Sequence, residues 1–201
     1  LLPEVVRRLH KQHAALVVSV VTGPSAHLLD QLRVGALDLV VGRMTDSPQI
    51  EGLTFEHLYS ESMILVVRPA HPLLQADLQD RSQLGDYPVV LPLAGTTIRR
   101  YADSLYVQCG IVMPQQRLET LSVALSRRYV QSSDAVWIAP QDAVRQDLAR
   151  GELLELDIGL REPGGSVGIC SNPTAALSLA AQWCCEALRE AAADYRDGLD
   201  P

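Results

Sequence analysis

The stretch LRVGALDLVVGRM, residues 32–44, joins the end of a helix to a buried strand and decides the fold class. Apolar spacing predicts a helix over residues 25–34 that ends at Gly35, and LDLVVG predicts the strand. The β-branched run ALVVSVVTG, residues 15–23, predicts another buried strand before that helix. A strand, a helix and a strand in this order indicate a right-handed parallel crossover, so the first half is predicted to be α/β.

A cation follows the second of these strands. Gly42 and Arg43 lie at its carboxyl end. In open α/β sheets ligands bind in the crevice outside the carboxyl ends of the strands, so Arg43 is a candidate for binding an anionic small molecule. An ion pair that only stabilises the strand end is the alternative interpretation.

The second half repeats this logic after a pair of predicted strands, LTFEHLYSE and SMILVVRPAHPL, that link two domains. YPVVLPLAGTT runs from a strand into a helix predicted over Thr97–Cys109 and ended by Gly110. Strands and helices then alternate up to a long helix predicted from Thr174 to about residue 195. The prediction is an α/β protein of two Rossmann-like lobes, residues 1–60 with 161–201 and residues 61–160, with a cleft between them.

Two predicted helix amino termini carry small hydroxyl residues. TGPSAHLL places Ser25 at one of them, and LAGTTIRR places Thr96 and Thr97 at the other. Helix amino termini offer unpaired N–H groups and a partial positive charge, which suits an anion, although capping alone explains either stretch taken separately. Together with Arg43, the two termini could converge on one carboxylate-bearing ligand.

Composition excludes several other functions. The 201 residues carry a net charge of −7, which makes this chain alone a poor DNA binder. No apolar run approaches the roughly 18 residues of a membrane span, and the charged amphipathic start is unlike a signal peptide, so a cytoplasmic protein is expected. The four cysteines lack C-x-x-C spacing and HKQH, residues 10–13, has no further ligand at helical spacing, so we expect reduced thiols, no metal and no cofactor.

One motif requires an enzymatic interpretation to be considered. GGSVG, residues 164–168, matches the G-x-S-x-G nucleophile elbow of hydrolases. That motif needs a strand before the serine and a helix after it, whereas here a Pro/Gly loop precedes Ser166 and a predicted strand follows. All five histidines precede Ser166, contrary to the order the motif needs, so no enzymatic activity is predicted.

Four stretches together resemble the effector-binding domain of LysR-type transcriptional regulators: LLPEVVRRLHKQH, VVTGPSAHLLDQLRVGALDLVVGRM, GLTFEHLYSESMILVVRPAHPL and AVWIAPQDAV. The likeness extends over nearly all 201 residues. YVQSSDAVWIAP is similar to the branch that contains the galactose-binding-protein regulator and the protocatechuate-operon regulator. The resemblance implies two lobes of the type II periplasmic-binding-protein fold, with a small-molecule effector in the inter-lobe cleft.

The resemblance also implies the contact residues and the partners. Its effector contacts fall on Ser25, Arg43, Thr96, Thr97 and Ile98. The effector is expected to be an organic acid or a sugar derivative, and the domains are expected to form homodimers or higher homo-oligomers. DNA would be bound only through the family's amino-terminal winged helix-turn-helix, which this chain lacks, and the domain's first strand is expected before Leu1. A solute-binding protein of a transport system is the alternative function.

Overall fold

The computed structural model describes residues 1–44, 49–76, 81–159 and 162–196. The helices of this part are α1 (Leu2–Gln12), α2 (Ser25–Arg33), α3 (Thr97–Cys109), α4 (Val123–Gln131), α5 (Gln141–Ala149) and α6 (Leu179–Arg196). The strands are β1 (Val40–Arg43), β2 (Thr54–Val67), β3 (Val89–Leu91), β4 (Arg117–Glu119), β5 (Val136–Pro140), β6 (Leu154–Glu155) and β7 (Glu162–Ser171). Short 3-10 turns cover Pro72–Leu74 and Arg81–Asp86.

The chain divides into two compact units. Unit 1 contains Leu1–Ser60 and Ser166–Pro201, and unit 2 contains Glu61–Gly165. The long strands β2 and β7 each contribute residues to both units. The boundary predicted at residues 160 and 161 lies outside the described residues.

Unit 1 is built on β7, which lies between β1 and residues 54–60 of β2. β1 and β7 are antiparallel, with Val40 opposite Cys170 and Arg43 opposite Val167. Because side chains alternate along a strand, the two faces bury different helices. On one face Val40 and Cys170 pack with α2, whereas on the other Val167 packs with α1 and α6.

Residues 15–23 do not form the predicted strand. Residues 16–24 have no strand assignment, and Val17 is 89% exposed. Residues 16–21 line an apolar groove of about 330 Å³ together with residues 36–41 and side chains of α1 and α6. A strand exists only through its ladder partners, and the described chain supplies none to this segment. The parallel crossover expected here is therefore absent, and β1 pairs antiparallel with β7 instead.

Two further expectations need correction. The two strands predicted on either side of Ser60 form the single strand β2, which runs through the polar step without a break. α6 begins at Leu179 rather than Thr174, because the Asn172 carboxamide oxygen accepts hydrogen bonds from the Thr174 backbone N–H at 3.0 Å and from its hydroxyl at 2.7 Å. That local turn competes with a helical start, and Ser178 then accepts from the Ala181 N–H at 3.1 Å.

Unit 2 follows the predicted pattern more closely. β5 is parallel to β3 and antiparallel to β2, and β4 is parallel to β3. α3 covers Thr97–Cys109 as predicted and ends at Gly110, whose φ of 68° lies in the left-handed region. The buried strands carry apolar side chains on both faces, which is the pattern expected of strands covered on both sides.

A buried carboxylate ties α1 together. The Glu4 carboxylate accepts hydrogen bonds from Nε and Nη2 of Arg7, at 2.7 and 2.6 Å, and from Nε of Arg8 at 2.6 Å. Arg8 also bonds Asp194 of α6. Hydrogen bonds from Arg7 and Arg8 lower the pKa of Glu4 from 4.5 to about 2, so the ionised form stabilises the packing of α1.

This pKa predicts how unit 1 responds to acid. The folded pKa of Glu4 lies below the unfolded one, so its stabilisation is complete above pH 4.5 and is lost as the pH falls towards about 2. Glu4→Gln should flatten the stability profile in that window, measured by urea unfolding at a series of pH values. Glu190→Gln is the matched control because Glu190 is 63% exposed and lies 3.7 Å from Arg8. Equal slopes for the native chain and Glu4→Gln would contradict the prediction.

Candidate functional site

Ser25 is the first residue of α2 and does not cap it. The N-cap is Pro24, and no side-chain hydrogen bond caps this helix. The first N–H groups of a helix have no intrahelical acceptor, and here no hydroxyl or carboxylate satisfies them from the cap position. The amino terminus of α2, with the half-buried Ser25 hydroxyl beside it, can therefore bind an anion.

Thr96 is the N-cap of α3, and its hydroxyl is already used. Its Oγ1 donates to the Leu93 carbonyl at 2.7 Å and accepts from the Arg99 backbone N–H at 3.3 Å. Capping therefore accounts for this hydroxyl, which keeps only acceptor capacity for a ligand. Thr97 and Ile98 form the first turn of α3, where Thr97 is half-buried and Ile98 packs against the apolar core of unit 2.

Arg43 is the last residue of β1 and is half-buried. Arg43 is two residues after Val41 and therefore shares its face of the sheet, which packs against α1 and α6. α2 covers the opposite face. Arg43 and Ser25 are thus not on the same face of the sheet. α2 packs beside β1, and residues 34–39 reverse the chain between them, so α2 begins towards the end of unit 1 at which β1 finishes.

A polar pair that no sequence pattern indicated lies beside this end of the sheet. His57 Nδ1 of β2 and Ser166 Oγ of β7 are hydrogen-bonded to each other. His57 is exposed and Ser166 is half-buried. The two residues are separated by 109 positions, so no local pattern could have brought them together. Ser166 lies inside a strand rather than at a strand-to-helix turn, which contradicts the nucleophile-elbow interpretation.

The glycine after this serine has a structural role. A Cβ built on Gly168 would lie 2.1 Å from the Glu56 carbonyl oxygen and 2.7 Å from Cζ of Phe55. β2 approaches β7 too closely at this point for any side chain. The last glycine of GGSVG, Gly168, is therefore explained by packing rather than by catalysis.

Metal ligation and thiol reactivity are the other site chemistries that His, Cys, Asp and Glu side chains can provide. Within residues 1–44, 49–76, 81–159 and 162–196, no group of three or more His, Cys, Asp or Glu side chains could hold a metal ion. Burial raises the pKa of the Cys170 thiol to about 11, which keeps that thiol protonated and unreactive at neutral pH. No helix of the described chain combines the length and the apolar character needed to cross a membrane.

Comparison with known proteins identifies the family of this chain. The model of the LysR substrate binding domain matches residues 1–193. This chain belongs to the LysR substrate-binding domain family. The HTH-type transcriptional regulator PcaQ of Agrobacterium fabrum is 39% identical over 181 residues, which are 90% of this chain and 58% of PcaQ. The chain thus spans less than two thirds of that relative's length.

Solved structures of LysR effector-binding domains share the fold. The regulatory domain of CcmR from Synechocystis PCC6803, in complex with 2-PG, has a TM-score of 0.79 at 17% identity, covering 95% of this chain and 90% of that one. The effector-binding domain of QuiR, in complex with shikimate, has a TM-score of 0.75 at 19% identity, covering 96% and 91%. The fold class is therefore that of the type II periplasmic-binding proteins, as predicted.

Membership of this family also decides between the functional alternatives. The family model and the named relative belong to transcription regulators, which are neither enzymes nor transport proteins. The prediction of a regulatory, ligand-sensing domain is confirmed, and the solute-transport alternative is not supported. The individual contact residues, the identity of the effector and the oligomeric state stay predictions.

Proposed function

We propose that this domain senses a small organic acid, bound in part by the amino terminus of α2 and by Arg43. The observation that carries the proposal is the uncapped start of α2, beside Ser25, at the same end of unit 1 as a half-buried arginine. N–H groups without acceptors and a guanidinium both favour a carboxylate. The shikimate bound by QuiR is a carboxylate, which supports the same class of effector here.

Thr96, Thr97 and Ile98 complete the proposed set of contacts from unit 2. The first-turn N–H groups of α3 are the groups offered by this segment, since the Thr96 hydroxyl hydrogen is already donated to Leu93. The family resemblance is what assigns both segments to one effector site. A sugar derivative is the alternative effector. It would need contacts with its hydroxyl groups in place of the positively polarised amino termini of α2 and α3.

The proposed signal is a change in conformation that the effector favours. A ligand shifts such an equilibrium only by its different affinity for the two arrangements. We propose that the domain acts as a homodimer or a higher homo-oligomer, with α1 and α4 at the interface, and that DNA is bound by a separate segment of the regulator. Exposed Leu2 of α1 and exposed Val123 and Leu125 of α4 are apolar side chains suited to such an interface.

Replacing Arg43 tests the acid-binding proposal. A thermal-shift screen against aromatic acids, dicarboxylic acids and sugars identifies binders, since a ligand at 100 times its Kd adds about 2.7 kcal/mol of stability. Arg43→Ala should weaken acids by about 1.5–3 kcal/mol, the range for a hydrogen bond to a charged group. Titration calorimetry then measures the change in Kd.

Arg150→Ala is the matched control, because it removes the same charge from an exposed position that follows α5. It should leave the Kd of the acid unchanged. An equal Kd of the acids for the native chain and for the Arg43→Ala variant would show that Arg43 only stabilises the strand end. Hits confined to neutral sugars would contradict the organic-acid class.

A further inference from the structure

The pair formed by His57 and Ser166 lies on the face of unit 1 that α2 covers. His57 follows Phe55 by two residues in β2, and Phe55 packs with α2. Ser166, Gly168 and Cys170 are spaced two residues apart in β7, and Cys170 is buried in the apolar cluster that contains Phe55 and α2. Residues two apart on a strand share a face, so Ser166 stands on the α2 side, and its hydrogen bond to His57 places His57 on that side as well.

The pair also lies at the end of the sheet where α2 begins. The Met44 backbone N–H, just beyond β1, donates to the Ser166 carbonyl at 2.7 Å. Ser166 is therefore level with the carboxyl end of β1, towards which α2 begins. The pair and the uncapped helix terminus thus belong to one face and one end of unit 1.

The chemistry of the pair suits a hydroxyl group. When Ser166 Oγ donates to Nδ1 of His57, the neutral imidazole carries its proton on Nε2. No hydrogen bond to Nε2 is found among the described residues, so Nε2–H can donate to a ligand. Ser166 Oγ keeps a lone pair that can accept. A hydroxyl both donates and accepts, whereas a carboxylate only accepts, and the carboxylate already has the helix terminus and Arg43.

We propose that His57 and Ser166 bind a hydroxyl group of the effector, which makes the effector a hydroxylated carboxylic acid. This inference rests on the proposed function and deepens it. The two residues set specificity between acids, while the helix terminus and Arg43 bind the carboxylate that all of these acids share. An acid without a hydroxyl leaves the pair with no ligand partner.

Titration calorimetry with matched acids tests this inference. One set is benzoate with its mono- and dihydroxy derivatives, and the other is cyclohex-1-ene-carboxylate with shikimate. In the set that binds, the hydroxylated acid should bind the native chain more tightly. His57→Ala and Ser166→Ala should each weaken it about three- to tenfold, the value of one neutral hydrogen bond, and leave the plain acid unchanged.

Thr54→Ala is the matched control on the same two strands. The Thr54 hydroxyl and the Ser171 hydroxyl form a cross-strand hydrogen bond of 2.7 Å between β2 and β7. Losing that bond should leave the Kd of every acid unchanged. A thermal melt of each variant confirms folding before the titration, and exposed His57 can be truncated without a cavity.

The outcomes separate this inference from the proposed function. If hydroxylated acids bind the native chain and His57→Ala equally, the pair is only a structural link between strands, while the acid-sensing proposal stands. If both variants weaken plain and hydroxylated acids alike, the pair has no role in specificity and the inference is again overturned. If no acid of either set binds the native chain, the proposed function fails and the inference fails with it.

Discussion

Gly168→Ala is expected to destabilise the protein by about 3 kcal/mol, the upper end of the usual cost of overpacking. The added Cβ would lie 2.1 Å from the Glu56 carbonyl oxygen and 2.9 Å from the carbonyl carbon. Both are backbone atoms of β2, so no rotamer change relieves the overlap and the two strands must separate. Urea denaturation followed by circular dichroism gives the change in the free energy of unfolding.

The sheet contains its own control for this substitution. Gly42 is directly opposite Gly168 in the β1 and β7 register, and a Cβ built on it meets nothing within 4 Å. Gly42→Ala should therefore be neutral, or stabilising by up to about 1 kcal/mol through the smaller entropy of the unfolded chain. Equal losses at both positions would show that the close approach of β2 is not what requires Gly168.

The contrast between these two glycines shows what sequence patterns can identify. Local signals were sufficient for α3, where a threonine precedes the helix and Gly110 ends it in a left-handed conformation. They were also sufficient for the end of α2, because Gly35, just after that helix, has a positive φ of 73°. Capping and termination depend on a few neighbouring residues, so one sequence is enough to predict them.

Pairing between distant strands could not be read in this way. The β-branched run over residues 15–23 has the composition of a strand, yet it has no ladder partner among the described residues. β7 lies between β1 and β2 in the sheet. Its Cys170 is opposite Val40 of β1, although most of the chain separates these two residues in sequence. The composition of a segment indicates that it is suited to a sheet, whereas the strands available beside it in the fold decide whether it joins one.

The residues of the candidate site show the same difference between local signals and contacts between distant segments. Ser25 was found because helix starts have a local signature, and the structure shows that its hydroxyl does not cap α2. Thr96 has the same signature, but its hydroxyl caps α3 and bonds Leu93. Sequence alone cannot distinguish these cases. His57 and Ser166 meet only through the pairing of β2 with β7, so the motif containing Ser166 suggested the wrong chemistry.

His71 is expected to give the second large effect on stability. It is 1% exposed, its Nδ1 accepts the Leu73 backbone N–H at 3.1 Å, and its Nε2 lies 3.0 Å from the Asp134 carbonyl oxygen. Because Nδ1 accepts, the proton is on Nε2, which donates to Asp134. His71→Ala removes the cap of the Pro72–Leu74 turn, leaves a buried N–H unpaired and opens a cavity, at a cost of about 2–4 kcal/mol.

The same contacts make His71 responsive to pH. Burial lowers the pKa of His71 below its usual 6.5, although the carbonyl of Asp134 opposes this. The unfolded chain therefore takes up the proton first as the pH falls. Stability is complete above pH 6.5 and decreases as the pH falls below it, by at most about 1.4 kcal/mol per pH unit, until the folded pKa is passed.

His71→Asn separates the cap from the titration. An asparagine Oδ1 can accept the Leu73 N–H as Nδ1 does, but it does not titrate. This variant should lose less stability than His71→Ala, and its free energy of unfolding should vary less with pH between 4.5 and 6.5 than that of the native chain. This window lies above the range in which Glu4 titrates, since the pKa of Glu4 is lowered from 4.5 to about 2. Parallel profiles for the native chain and His71→Asn, measured by urea unfolding, would mean that the pKa of His71 is the same in the folded and the unfolded chain, and that His71 acts only through packing and hydrogen bonding.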